Sequence, residues 1–189
     1  MVSLNRALRL EYESLSFLHL SGKGNNILTR EEFGDFDLWF EYRISDKGNS
    51  GIKYRVAKYG NQWLGLEYQI QDDAAFPKMA AEHYTASVYD LFDTSSPILQ
   101  RNYKAPAAWG VGRVIVQRHR IRHWMNGNLI IDEQDDSARF AEAIQNSKFR
   151  GQENFGRNQQ GRLMLTDHGS EVWYRNVYIR RLDGKPLVP

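Results

Sequence analysis

The 189-residue chain contains no cysteine, which excludes disulfide scaffolds and cysteine–zinc sites. That absence fits cytoplasm and periplasm equally. No apolar run approaches the roughly 20 residues that a membrane helix needs. The first ten residues, MVSLNRALRL, hold no apolar core of signal-peptide length. Neither charge dominates: 25 basic and 23 acidic residues leave a net +2. That balance does not give the electrostatic footprint of a nucleic-acid binder, and the basic run at 113–122 reads as a solvated strand face. Phosphate loop, dinucleotide fingerprint and Ser-His-Asp elbow are all missing. Gly110-Val-Gly112 lacks a third glycine and a following helix, so it is no nucleotide site. Internal repeats and low-complexity linkers are also absent, and the length suits one all-β domain.

What is present is aromatic and alternating. Five Trp, ten Tyr and nine Phe suit a sandwich interior or sugar-stacking surfaces. Phe36, Leu38, Phe40 and Tyr42 fall on one side of a strand, with Asp37, Trp39, Glu41 and Arg43 on the other. Turn chemistry at 48–51 (GNSG) follows, then Ile52, Tyr54 and Val56 alternate with Lys53 and Arg55. After a turn at 59–61, Leu64, Leu66, Tyr68 and Ile70 oppose Trp63, Glu67, Gln69 and Gln71. Strands are predicted at 113–117, 121–125, 129–131, 161–166 and 172–182. Asn126-Gly127 marks a hairpin, because a type I′ turn needs positive φ twice. Residues 136–148 form the best helix candidate, with Phe140 and Ile144 at i, i+4 behind an Asp136 or Ser137 cap. The stretch 72–103 has poor periodicity and reads as a long functional loop over one rim. Many short antiparallel strands with one short helix predict an all-β, two-sheet antiparallel sandwich.

Several blocks point further: TREEFGDFDLWFEYR at 29–43, NSG at 49–51 followed by Arg55, LEYQI at 66–70, YDL at 89–91, HWMNG at 123–127 and TDHG at 166–169. In this order they resemble the 3-keto-disaccharide hydrolase domain family over residues 15–182. The resemblance implies a concanavalin A-like jelly roll and a carbohydrate-active enzyme. It also singles out site residues. Glu67, Asp167 and His168 match the catalytic blocks, and Asn49, Arg55, Gln69, Tyr89 and His123 match those expected to hold substrate. Histidine beside a carboxylate suits acid–base work near neutrality, and a guanidinium fork suits hydroxyls or an oxyanion. Of the adjacent pair His123 and Trp124 only one can face a groove; His123 is taken as the functional one. Departures are Thr166 where the family has glutamine, Ala107-Ala-Trp-Gly110 where it has Gly-Glu-Trp-Asn, and the loss of an early tryptophan-containing strand.

The implied substrate is a glycoside or oligosaccharide oxidised to a ketone at C3. That ketone acidifies the C2 proton, so a base, an acid and an enolate-stabilising cation suffice, drawn from Glu67, His168 and Arg55. The alternative is a non-catalytic, lectin-like binding module. Glu67, Asp167 and His168 would be the ligands of any divalent metal. Residues 1–14 are expected to form an arm, 15–183 the single sandwich domain, and 184–189 a tail. The arm is expected to pair with the final strand or to dock on another subunit, giving a homo-oligomer. Family members are usually exported, so the resemblance implies a periplasmic or secreted location although no signal peptide is visible. No nucleic-acid or membrane partner is expected.

Overall fold

The computed structural model describes residues 18–22, 24–94 and 108–182. The expected arm and tail lie outside these, as does 95–107. Among these residues, ten strands and one α-helix follow in chain order: β1 Leu18–Ser21, β2 Ile27–Phe33, β3 Phe36–Ile44, β4 Asn49–Tyr59, β5 Gln62–Gln71, β6 Gly110–Gln117, β7 Arg120–Met125, β8 Asn128–Gln134, α1 Ala138–Asn146, β9 Gly161–Asp167 and β10 Glu171–Arg181. They form two antiparallel sheets, one ordered β1-β10-β3-β6-β7-β8 and the other β2-β9-β4-β5. The predicted two-sheet sandwich with one short helix is the observed architecture.

Period-2 alternation explains the layers. In β3 burial alternates without a break from Phe36 to Ile44, which puts Phe36, Leu38, Phe40 and Tyr42 in the core. They meet the facing sheet edge to face, Phe40 on Tyr68 at 5.1 Å and Phe36 on Tyr54 at 6.0 Å. Burying each such side chain stabilises the fold by about 1.5–3 kcal/mol. Asn126 and Gly127, both at positive φ, close the β7–β8 hairpin as their type predicts. Ser137 caps α1 by accepting from the Phe140 amide at 3.1 Å, and Phe140 and Ile144 supply the buried stripe.

The stretch read as an aperiodic rim does more than cover. Residues 86–89 run beside β5, with the Ala86 amide donating to the Gln69 carbonyl at 2.9 Å and Tyr89 to that of Glu67 at 3.0 Å. Ala86, Val88 and Phe92 enter the core. Asp73 clasps the stretch, accepting from the backbone amide and the hydroxyl of Thr85 at 3.0 and 3.1 Å. Burial pushes the Asp73 carboxyl up to about 6. With one side so occupied, β5 is buried from Gly65 to Gln71 without alternation.

β1 pairs with the first half of β10, Leu18 opposite Tyr174 and Ser21 opposite Glu171; the arm expected to pair with this strand lies outside the described residues. β4 carries a bulge at Arg55, where φ is +50° and the register to β5 slips between Tyr54 and Ala57. Gly161 lies against it; a Cβ there would come within 2.7 Å of the Val56 nitrogen and oxygen.

Candidate functional site

The outward face of the four-stranded sheet is polar but recessed. Pairing sets Asn49 opposite Gln71, Gly51 opposite Gln69 and Lys53 opposite Glu67. On the other side of β4, Gly51 faces Thr166 and Lys53 faces Met164. Alternation therefore puts Glu67, Gln69, Gln71, Asn49, Lys53 and Thr166 on one surface. Glu67 is only 5% exposed and Gln69 only 2%. An outer sheet face is ordinarily washed by solvent; this one is a sunken floor.

Its polar groups are joined. The Gln69 amide donates to Asn49 Oδ1 at 3.0 Å and to Gln71 Oε1 at 3.2 Å. Gln71 in turn reaches Met79 Sδ at 3.3 Å. Thr166 Oγ1 stands 3.2 Å from Glu67 Oε1, and Lys53 Nζ is 3.7 Å from Glu67 Oε2. A carboxylate this buried is costly unless paired and hydrogen-bonded, and Lys53 and Thr166 supply both. Gly51 lies under the carboxylate, which occupies the space a Cβ would need. Beneath the floor, Ser50 Oγ donates to the Thr166 carbonyl at 2.7 Å and meets the Tyr174 hydroxyl at 3.0 Å. This ties the floor to β10. Burial raises the Tyr174 phenol well above its ordinary value, so Tyr174 serves as a neutral strut. At the far end of the same face stands Trp63, 39% exposed, with the Arg162 guanidinium 5.7 Å from its ring.

Of the residues expected from sequence, the structure brings Glu67, Gln69 and Asn49 together. His168 sits at the rim, in the exposed turn after β9, where Ser170 Oγ accepts from the Asn49 amide at 3.0 Å. Asp167 does not orient it. Its Oδ1 accepts from the Gly169 amide at 2.9 Å, closing its own turn, and it continues the inward parity of Leu163 and Leu165.

Three expectations are corrected. Arg55 does not line the floor: in its bulge the side chain turns inward, is 1% exposed, and pairs with Asp135 while donating to the Arg118 carbonyl at 2.9 Å. His123 is a core residue with no exposure, held by the Tyr54 hydroxyl at 3.0 Å and the Ala86 carbonyl at 2.9 Å. Burial lowers its pKa to about 4, so it is neutral, and Trp124 is the outward member of that pair. Tyr89 stacks on His83 at 4.7 Å with Lys148 Nζ 4.2 Å above its ring, leaving little free face for a sugar.

Nor do Glu67, Asp167 and His168 form a metal cage. Among the described residues, the His/Asp/Glu groups with converging ligand atoms are Glu82, His83 and Asp90, and His119, Asp135 and Asp136; in the second, Arg55 already supplies the cation. Sequence reading missed Lys53, although strand parity alone sets it beside Glu67. It also treated Thr166 only as a departure, whereas its hydroxyl meets the carboxylate.

The sequence profile of a family described as 3-keto-alpha-glucoside-1,2-lyase-like domain matches residues 17–180. A curated protein of Bacteroides thetaiotaomicron named 3-keto-disaccharide hydrolase is 27% identical over 189 aligned positions, covering 86% of this chain. The chain spans 63% of that relative's length. Two crystal structures from Parabacteroides distasonis ATCC 8503, both named as glycosyl hydrolases, share the fold. One has a TM-score of 0.78 at 23% identity, covering 88% of this chain and 81% of the other. The second has a TM-score of 0.70 at 21% identity, covering 90% and 89%.

Proposed function

Because the chain belongs to the 3-keto-alpha-glucoside-1,2-lyase-like domain family, we propose that it is a carbohydrate-active enzyme cleaving the glycosidic bond of 3-keto-glycosides by elimination followed by hydration. The observation that carries this reading is the Glu67–Lys53 pair, 3.7 Å apart on a recessed floor of amides. A sugar-binding surface needs the amides; it has no need of a carboxylate and an ammonium held against one another at low exposure.

The roles follow from the chemistry. With a ketone at C3, the Glu67 carboxylate removes the C2 proton while Lys53 faces the oxygen that becomes the enolate. The electron pair then forms the C1–C2 double bond as the C1–O bond breaks. The departing oxygen takes a proton from a group at the rim, where His168 stands. Water adds across the double bond to complete hydrolysis, and Asn49, Gln69 and Gln71 hold ring hydroxyls. Such a site does not need two carboxylates at the fixed separations of ordinary glycosidases.

The test is a 3-keto-glucoside bearing a chromogenic leaving group, assayed with and without chelator. Turnover is expected for the wild type, with Glu67→Gln slower by about 10²–10⁴-fold and Lys53→Met by about 10²–10³-fold. Saturable binding of the keto-glycoside with no turnover would replace the enzyme reading with that of a binding module. That second reading draws on the Asn49–Gln69–Gln71 amide chain alone.

A further inference from the structure

None of the five tryptophans is fully buried: Trp63 is exposed and the other four are of intermediate burial. Four of them, Trp39, Trp109, Trp124 and Trp173, stand on the outer side of the six-stranded sheet, opposite the Glu67 floor. Guanidiniums lie against Trp109, Trp124 and Trp173, while Trp39 meets Tyr178 at 6.2 Å. Arg43 is 4.3 Å from the Trp173 ring and 5.4 Å from Trp109, Arg175 is 4.0 Å from Trp109, and Arg113 and Arg122 are each 5.4 Å from Trp124. His19 stacks on Trp173 at 4.9 Å. Three of the four indoles thus already carry a cation, which sets this face apart from an open stacking platform for a neutral sugar. It is a set of guanidiniums braced on indole rings.

Charge on this face is unbalanced. Arg113 and Arg180 share Asp37, and Arg175 pairs with Glu41. Among the described side chains of this face, Arg43, Arg113, Arg120, Arg122, Arg175 and Arg180 stand against Asp37, Glu41, Asp132 and Glu171, and six minus four leaves two positive charges in excess. Asp132 faces Arg122 across β7 and β8, but both its oxygens are held by Arg120 at 2.6 and 2.5 Å. Among the described residues, therefore, Arg43 and Arg122 have no carboxylate partner, and the Nε of each is buried without an acceptor. Burial, then the nearby Arg120, lower the Arg122 pKa; an arriving anion offsets the repulsion from Arg120. The six strands of this sheet carry no lysine, so the positive groups are all planar forks suited to paired carboxylate oxygens.

We propose that this face binds an anionic linear polysaccharide of the polyuronate class. Spacing selects the class. Arg43 and Arg122 lie two strands apart and six residues apart along the strand direction, or roughly 20 Å. One small anion cannot bridge them, whereas successive carboxylates of one polymer chain can, with the affinity gain of multivalent contact. Nucleic acid, at one charge per about 1.7 Å of axis, calls for a denser basic stripe than two open guanidiniums.

The experiment is native gel electrophoresis through matrices containing polygalacturonate or neutral dextran. Wild-type protein is expected to be retarded by polygalacturonate only, less so as salt is added, and without competition from monomeric galacturonate at equal carboxylate concentration. Arg43→Ala/Arg122→Ala should weaken retardation at least tenfold at unchanged melting temperature. Arg150→Ala/Arg157→Ala, which removes the same charge from exposed loop positions, should not. Glu67→Gln should bind as the wild type does, so this result stands apart from any failure to turn over keto-glycosides. Absence of retardation, equal weakening by both double variants, or equal or tighter binding of single-stranded DNA overturns the proposal.

Discussion

Replacing Arg55 with methionine separates a structural arginine from a catalytic one. The guanidinium and the Asp135 carboxylate are 1% and 2% exposed, and they join β4 of one sheet to the end of β8 in the other. Methionine keeps the stem and removes the charge. Asp135 would retain only His119 Nδ1, at 2.8 Å, leaving a buried carboxylate with its main partner gone. Breaking such a pair from one side costs about 3–5 kcal/mol. For a domain of this size each kcal/mol moves the melting temperature by roughly 2–4 °C, so a fall of about 6–20 °C is expected. Circular dichroism melts at pH 7 measure it. The double variant Arg55→Met/Asp135→Leu should regain most of the loss, since removing both charges leaves no buried charge unpaired; only the Arg118 carbonyl and His119 lose a hydrogen bond. Turnover of a 3-keto-glycoside, measured well below the melting range, should stay near the wild-type rate. Unchanged melting with abolished turnover would refute the inward placement and return Arg55 to the floor.

Gly51→Ala should place a methyl group where the Glu67 carboxylate lies, with its Cδ and Cγ each 3.0 Å from the new Cβ. This pushes the carboxylate from Thr166 and Lys53; kcat/KM is expected to fall at least about a hundredfold with the fold intact by circular dichroism, and full activity would show that the carboxylate position is immaterial. His123→Gln tests the buried imidazole through pH. With a folded pKa of about 4 against 6.5 for the ordinary group, the unfolded chain binds the extra proton between those values. Wild-type stability is therefore full above pH 6.5 and is lost as pH falls towards 4, by roughly 3 kcal/mol. Urea midpoints at pH 7 and pH 4.5 should show this loss in the wild type and a smaller one in the variant; equal losses would mean that the imidazole is not desolvated.

The strands, the Asn126-Gly127 hairpin and the Ser137 cap could be read from sequence because each depends on neighbours within a few residues. The Glu67 and Gln69 parity was legible for the same reason: β5 is regular from end to end. Arg55 was not, since one residue at φ +50° resets the alternation, and nothing in the bare sequence marks a bulge there. The choice of His123 over Trp124 failed differently. Alternation says that the two point apart but not which side is core, and only the partners Tyr54 and Ala86, distant in sequence, decide it. The 86–89 stretch escaped because its backbone pairing with β5 is irregular, with Ala86 and Asp90 both at positive φ, so no period exists to detect.

The placement of the indoles also sets what intrinsic fluorescence can report. The core aromatics are phenylalanines and the tyrosines Tyr42, Tyr54, Tyr68 and Tyr174, while every tryptophan is already partly in water. Native emission should therefore be red-shifted, and global unfolding should change its wavelength little, making tryptophan a poor gauge of the melt. Occupancy is another matter. Trp63 is the lone indole on the Glu67 side of the sandwich, so a variant with the other four replaced by phenylalanine would carry a single optical probe at one end of that floor.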